Sequence, residues 1–130
     1  MKLTVQPVCR TDYKFLYELL EKRNPCVNIS HKVMPTYEEH CKFNETLPYK
    51  EDYVIYLDKE PIGRIYITKL DEIGIYFLPK YDGEMYKAVL KDFMSKIKFI
   101  NVSPKNKELI NILKQFNFNL IQYTYEKNIP

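Results

Sequence analysis

The sequence predicts one mixed α+β domain over residues 1–130, with a mostly antiparallel sheet flanked by helices. Three observations predict this class. The chain of 130 residues is close to the commonest size for a single domain. A hydrophobic content of 45% with 28% charged residues suits a chain that buries one core. Apolar residues recur with a period of two in some stretches and 3.6 in others, in the order β-α-α-β-β-β-α-β-α-β.

The first part of the chain is predicted to form a strand and two helices. Thr11 is a good N-cap for the first helix. Thr36 and Glu39 have the spacing of a capping box, so a second helix should begin there. A proline follows each helix and ends it. The predicted elements are a strand over 2–8, a helix over 11–23, an irregular stretch over 26–35 and a helix from 36 to about 47.

The rest of the chain is predicted to form a three-stranded meander and then alternating helices and strands. Gly63 and Gly74 lie inside predicted strands, where a missing side chain often marks a bulge or a close backbone approach. After Pro79 the apolar period changes from two to that of a helix. The predicted elements are strands over 53–57, 62–69 and 72–78, a helix over 83–96, a strand over 99–103, a helix over 106–116 and a closing strand over 120–127.

Composition excludes several classes of protein. The net charge is +3, but all except three of the 20 basic residues are lysine, whereas nucleic-acid surfaces favour arginine. No nucleic-acid partner is therefore expected. The basic last third, residues 96–130, is interpreted as a solvated face, with a phosphate-bearing small molecule or a nucleic-acid backbone as the alternatives. No apolar run approaches the roughly 20 residues that span a bilayer, so no membrane partner is expected. Three cysteines without a C-x-x-C pair suit the reducing cytoplasm.

Two segments resemble the GCN5-related N-acetyltransferase (GNAT) family. In the first, residues 73–90, a strand ends at Pro79 and a turn containing Gly83 leads into a helix. In the second, residues 102–118, a strand is followed by Asn106, a helix and a terminal Asn-Phe pair where the family has Gly-Phe. The predicted element order agrees with that family over nearly the whole chain. The resemblance implies a GNAT-like fold.

The resemblance also implies acetyl-coenzyme A, with its pantetheine arm along one strand and its pyrophosphate on the following turn. A helix N-terminus with free N–H groups accepts such an anion. The implied cofactor-binding residues are Tyr76, Phe77, Leu78, Lys80, Tyr81, Asp82, Gly83, Glu84, Met85, Tyr86 and Asn106. The turn departs from the family pattern, since Asp82, Met85 and Lys87 replace one basic and two small residues. Leu113 stands where many members have a tyrosine acid.

Acetyl transfer to an amine needs a base and a proton donor for the departing thiolate. Glu72, which opens the strand that would line the cleft, is the candidate base. Tyr86 and Tyr123 are the alternative candidates for the acid, and nothing in the sequence singles out one of them. His31, Met34 and His40 lie where the family builds its acceptor site, so they are predicted to bind the substrate. The histidine and cysteine spacing fits no four-ligand zinc pattern, so no metal is expected.

The sequence therefore predicts an acetyl-CoA-dependent N-acetyltransferase that acts without a covalent enzyme intermediate. The acceptor would be a primary amine of a small molecule, such as an amino sugar nucleotide or an amino acid, or a protein N-terminus. The alternative is a non-catalytic GNAT-like domain that binds a ligand or a protein partner, because the turn is altered and the usual tyrosine is absent. Both a monomer and a homodimer are compatible with the sequence.

Overall fold

The structure is a computed structural model that describes residues 2–22, 34–81 and 83–127. Within these residues, one five-stranded sheet of order β1-β2-β3-β4-β5 packs with four α-helices. The strands are β1 Leu3–Pro7, β2 Glu51–Leu57, β3 Glu60–Ile67, β4 Glu72–Phe77 and β5 Phe99–Ile100. The helices are α1 Tyr13–Lys22, α2 Tyr37–Glu45, α3 Gly83–Phe93 and α4 Lys107–Gln115. This arrangement confirms the predicted α+β class and the order of the first nine elements.

The sheet is antiparallel from β1 to β4 and parallel between β4 and β5. The β4–β5 pairing consists of two register pairs, Glu72 with Phe99 and Ile73 with Ile100. The fifth strand is therefore shorter than the predicted 99–103. β4 runs four residues beyond its last pair with β5, and this difference in length shapes the functional site.

The two faces of the sheet carry different helices. Ile65, Ile73 and Ile75 face a large core that includes Leu90 of α3 and Leu113 of α4. The opposite face is covered from the side of α1 and α2. There Val54 of β2 packs with Tyr13 and Leu16 of α1 in a second, smaller buried cluster. Alternation along each strand sends neighbouring side chains to opposite faces, so one sheet serves both layers.

Local capping determines where α2 and α4 begin or end. The predicted capping box is confirmed: Glu39 N donates to Thr36 Oγ1 at 3.1 Å, and Thr36 N donates to Glu39 Oε1 at 3.0 Å. At the end of α4, Asn117 has a left-handed φ of 65°. Phe118 N then donates to Leu113 O at 3.0 Å, which closes the helix in the manner of a glycine cap.

The predicted N-cap at Thr11 is wrong. Cys9 caps a 3₁₀ turn over Arg10–Asp12, and α1 follows from Tyr13. Cys9 N donates to Asp12 Oδ2 at 2.8 Å, so a carboxylate three residues ahead supplies the cap. Both Thr11 and Asp12 suit a helix start, and the chain uses the acidic residue to satisfy a backbone donor.

The predicted closing strand over 120–127 is also wrong. These residues form neither a helix nor a strand, and Leu120, Ile121, Tyr123 and Tyr125 are 70–87% exposed. Alternation describes a strand only where a partner edge is available. β5 ends at Ile100 after two pairs, so it offers a very short edge.

None of the helices in the described ranges combines the length and the apolar character that a bilayer crossing requires. His31 and Asp82, and most of the irregular stretch predicted over 26–35, lie outside the described residues.

Candidate functional site

A wedge opens where β4 and β5 part. Asp71 O accepts a hydrogen bond from Phe99 N at 3.1 Å, so the odd-numbered residues along β4 turn their main-chain groups toward β5. Ile75 and Phe77 follow the last paired residue, and no strand among the described residues pairs with them on this side. Their N–H and C=O groups therefore face the wedge, where a ligand can accept or donate hydrogen bonds.

A cavity of about 550 Å³ lies along this wedge. Gly74, Ile75 and Tyr76 of β4 form one wall, and Asn101 and Asn106 belong to the facing wall. The cavity continues beneath α2 and over β3 on the sheet face opposite the large core. The arrangement joins a strand edge that offers main-chain hydrogen bonds to a chamber lined by polar and aromatic side chains.

The structure brings four of the predicted site residues to the cavity: Glu72, Tyr76, His40 and Asn106. Phe77 and Tyr86 are buried in the core instead, where their rings contact each other with centroids 4.9 Å apart. The other described members of the predicted set do not line the cavity; they are Met34, Leu78, Lys80, Tyr81, Gly83, Glu84 and Met85. Met34 is 39% exposed.

Glu72 lies at the start of β4, next to the point where the strands part. Its Oε2 accepts a hydrogen bond from Asn101 Nδ2 at 2.6 Å. Asn101 follows directly after β5, so this contact bridges the two sides of the wedge. The carboxylate is thereby oriented at the cavity wall, in a position to accept a proton. Asn101 was not identified from the sequence, because its proximity to Glu72 depends on the β4–β5 register.

Asn106 has a structural role at the opposite wall. It is 8% exposed, and its Oδ1 accepts a hydrogen bond from Leu109 N at 3.3 Å as the N-cap of α4. The side chain therefore fixes the start of α4 beside the cavity.

The Tyr66 ring packs against Gly74 on the neighbouring strand. They are register partners on β3 and β4, and a Cβ at Gly74 would overlap the Tyr66 ring. The group that approaches Gly74 is thus a side chain, and not the backbone that was expected. Tyr66 also stacks on Tyr49, with ring centroids 3.9 Å apart. Burial raises the pKa of both phenols, so both hydroxyls stay protonated and can donate hydrogen bonds.

His40 is 5% exposed and takes part in a buried polar network. Burial, followed by the charge of Arg64, lowers its pKa, so the imidazole is neutral at pH 7. Asn44 Nδ2 lies 3.2 Å from His40 Nε2. This ring nitrogen therefore faces a protein group, and His40 forms part of the cavity wall.

The N-terminus of α3 already holds an anion from the chain itself. Gly83 N donates to Glu108 Oε1 at 2.7 Å, which joins the first residue of α3 to the first turn of α4. A helix N-terminus favours negative charge. The carboxylate stands where the sequence predicts a pyrophosphate, and its oxygen represents the kind of oxyanion that this N–H can bind. A Cβ at Gly83 would overlap that carboxylate.

Among the described residues, no group of three or more histidine, cysteine, aspartate or glutamate side chains is placed to hold a metal ion.

Comparisons with known proteins identify the fold. No protein-family model and no curated protein sequence matches this chain. Its structure matches a domain from Methanocaldococcus jannaschii with a TM-score of 0.72 and 17% identity, covering 96% of this chain and 93% of that one. It matches a GNAT-family acetyltransferase from Streptococcus pneumoniae with a TM-score of 0.66 and 14% identity, covering 93% and 87%.

A third match is an acetyltransferase whose structure contains coenzyme A. The ribosomal L7/L12 α-N-protein acetyltransferase RimL, solved in complex with coenzyme A, matches with a TM-score of 0.66 and 16% identity, covering 94% of this chain and 82% of that one. The chain therefore has the GNAT fold, which confirms the resemblance drawn from residues 73–90 and 102–118.

Proposed function

We propose that this chain is an acetyl-CoA-dependent N-acetyltransferase that moves an acetyl group directly to a primary amine. The wedge beside β4 is the observation that carries the proposal, because Ile75 and Phe77 present unpartnered strand-edge groups next to a cavity of about 550 Å³. A linear, amide-rich pantetheine arm can bind there as an added strand. The acceptor is a small-molecule amine, such as an amino sugar nucleotide or an amino acid, or a protein N-terminus.

The proposed cofactor-binding residues follow the chain from the wedge to α3. Phe77 offers main-chain groups at the open edge of β4, and Leu78 follows directly after the strand. Tyr76 lines the cavity, and Asn106 lies on the opposite wall. The proposed pyrophosphate site comprises Lys80, Tyr81, Asp82, Gly83, Glu84, Met85 and Tyr86. The Gly83 N–H suits an anion, because it already binds the Glu108 carboxylate. Acetyl-CoA, when bound, supplies an acetyl group activated as a thioester.

Glu72 is the proposed base. An amine must lose a proton to attack a thioester, and a carboxylate at the cavity wall can accept that proton directly or through a water molecule. The hydrogen bond from Asn101 holds the Glu72 carboxylate at the wedge. A Glu72→Gln variant should therefore lose roughly 100-fold in kcat, within the range that acid–base groups contribute.

Two tyrosines are proposed as donors to the departing thiolate. Tyr86 comes from the sequence, and its ring lies in the core against Phe77. Tyr66 comes from the structure, since it lines the cavity and its ring covers Gly74. Tyr66 is preferred because its hydroxyl is at the cavity. We expect Tyr66→Phe to lower kcat roughly 100-fold and Tyr86→Phe to change it less than about threefold. The reverse result would assign the role to Tyr86.

Ligand binding and turnover test the proposal in two steps. Roughly 1 mM acetyl-CoA or CoA should raise the melting temperature, since a ligand that binds only the folded state stabilises it. A thiol-release assay over a panel of primary amines then detects acetyl transfer. A melting temperature that neither ligand changes would exclude the cofactor and, with it, the transferase.

The alternative is a GNAT-like domain that binds a ligand or partner without catalysis. It is supported by the Glu108 carboxylate on Gly83 N and by Asp82 at the position where the family has a basic residue. The same assay separates the two functions. A catalytic domain releases thiol faster with an amine than without one, whereas a binding domain shows a melting shift and no amine-dependent release.

A further inference from the structure

A buried guanidinium forms part of the cavity wall. Arg64 is 3% exposed and lies on β3, on the sheet face that α1 and α2 cover. Its Nε and Nη2 donate to the two oxygens of Asp52 at 2.9 Å and 2.6 Å, and Nη2 also donates to Asn44 Oδ1 at 2.8 Å. The guanidinium carbon lies 5.2 Å from the centre of the Tyr49 ring and 5.7 Å from that of Tyr66.

One nitrogen of this group has no protein partner. Across residues 2–22, 34–81 and 83–127, the structure provides no hydrogen-bond acceptor for Arg64 Nη1. The other donor atoms are held by Asp52 and Asn44, so Nη1 is the donor left for the cavity that Arg64 lines. A buried donor without an acceptor is unfavourable, and an arginine can fill this requirement only by donating. A ligand oxygen that enters the cavity beside Nη1 satisfies this donor.

The guanidinium is fixed in place before any ligand binds. Asn44 Nδ2 donates to His40 O at 2.8 Å and lies 3.2 Å from His40 Nε2, which leaves Asn44 Oδ1 directed at Arg64. Asp52 holds the other edge through two parallel hydrogen bonds. A donor whose orientation is set by its neighbours discriminates between ligands better than a mobile one does.

The charges around the cavity favour an uncharged ligand oxygen over a carboxylate at Arg64 Nη1. Asp52 already neutralises Arg64, and Glu72 and Glu39 add negative charge to the lining. A second carboxylate at Nη1 would face these groups without a cation to balance it. An uncharged carbonyl oxygen satisfies the donor without that repulsion, and the acidic lining favours a cationic amine nearby.

Resting on the proposed function, we propose that Arg64 selects acceptors with an uncharged carbonyl oxygen beside the amine. The simplest acceptor of this class is an α-amino amide, which is the group at the N-terminus of a peptide. Its amine nitrogen becomes acetylated, and its carbonyl oxygen accepts from Arg64 Nη1. A free α-amino acid and a plain alkylamine lack this oxygen in neutral form.

Three small amines test the inference on the unmodified protein. Glycinamide carries the carbonyl, propylamine replaces it with carbon, and glycine replaces it with a carboxylate. Values of kcat/KM with acetyl-CoA are compared at equal concentrations of the unprotonated amine. We expect glycinamide to exceed each of the others roughly 100-fold, because a site built to donate to an oxygen rejects analogues that lack it. Values within about threefold of each other would overturn the inference.

Measurements of coenzyme A binding and of amine acetylation separate the role of Arg64 from the transferase activity. Acetylation of propylamine or glycine without a preference for glycinamide overturns the assignment of Arg64 alone. The absence of coenzyme A binding overturns the transferase.

An Arg64→Lys variant gives a second measurement, because lysine keeps the charge beside Asp52 but lacks the planar set of donors. Its preference for glycinamide over propylamine should fall to within about threefold. The control Arg10→Lys, at an exposed arginine paired with Glu45, should keep the full preference.

Discussion

Among single residues, Glu108 is expected to oppose phosphate binding at the proposed site on α3. Its Oε1 lies 2.7 Å from Gly83 N, where the proposed pyrophosphate site begins. Two like charges near a protein surface repel by at least about 1 kcal/mol at short range, which corresponds to about fivefold in a dissociation constant. We therefore expect Glu108→Gln to lower the Kd of coenzyme A about fivefold. The Kd of pantetheine should not change, because pantetheine has no phosphate. Calorimetric titration measures both values.

A matched control removes the same charge elsewhere on α3. Asp92 is exposed and lies near the C-terminal end of that helix, far along the chain from Gly83. Asp92→Asn should leave both dissociation constants as they are. Weaker coenzyme A binding by Glu108→Gln would mean that Glu108 caps α3 without competing with phosphate.

Because of His40, the stability of the fold should decrease as the pH becomes acidic. Burial, and then the Arg64 charge, lowers its pKa from the ordinary 6.5 in the folded chain. In the acidic range below 6.5 the unfolded chain therefore binds a proton that the folded chain resists, so stability falls as the pH drops. We expect the melting temperature to fall less between about pH 7 and 5.5 in His40→Gln than in the native chain. Equal slopes in the two proteins would exclude His40 as the cause.

The residues of the site differ in how far the sequence reveals them. Glu72, Tyr76 and Asn106 line the cavity, and each was identified because it lies within or beside a segment with a recognisable strand-to-helix order. Tyr66 and Arg64 were not identified, because their place at the cavity depends on the register of β3 against β4. The glycine at position 74 indicated a bulge or a close backbone approach, whereas the structure places the Tyr66 side chain there.

At the scale of elements, the C-terminal segment is expected to contribute little to stability. Residues 119–127 are exposed and form neither a helix nor a strand. Deleting the chain after Phe118 should shift the melting temperature by less than about 2 °C, because few buried contacts are lost. Phe118→Ala is the contrasting variant. Phe118 packs against the core, so its loss should lower the melting temperature by about 4 °C or more.

The deletion tests the corrected fold directly. A loss of stability equal to that of Phe118→Ala would mean that the segment pairs with the sheet after all. Differential scanning fluorimetry at one protein concentration is sufficient for the comparison.

Local signals predicted the start of α2 correctly and the N-cap at Thr11 wrongly. The length of β5 and the structure of residues 120–127 depend on distant contacts and were not predicted. The start of α2 depends on Thr36 and Glu39, which are three residues apart, and the capping box forms as expected. The end of β5 depends on where the chain leaves β4, about 30 positions earlier in sequence. The alternation over 120–127 satisfies the pattern of a strand, but no pattern within those residues specifies a partner edge.

At the scale of the whole molecule, the wedge follows from the topology of the sheet. A parallel strand that pairs for two residues leaves the rest of β4 as an open edge, and α3 and α4 hold one face of that edge through the large core. On the other face, α1 and α2 leave the cavity that contains Arg64, Tyr66 and Glu72. A cofactor arm at the edge and an acceptor in the cavity would meet beside Gly74.

The most direct test of coenzyme A binding at the open edge of β4 is an NMR titration of the backbone amides with coenzyme A. Binding along the open edge should shift the amide signals of Ile75 and Phe77, because their N–H groups would gain hydrogen-bond partners. The amides of Ile55 and Val54 in β2 should stay unchanged, since that strand is paired on both sides. If saturating coenzyme A leaves the Ile75 and Phe77 signals unchanged, the cofactor does not bind along the open edge of β4.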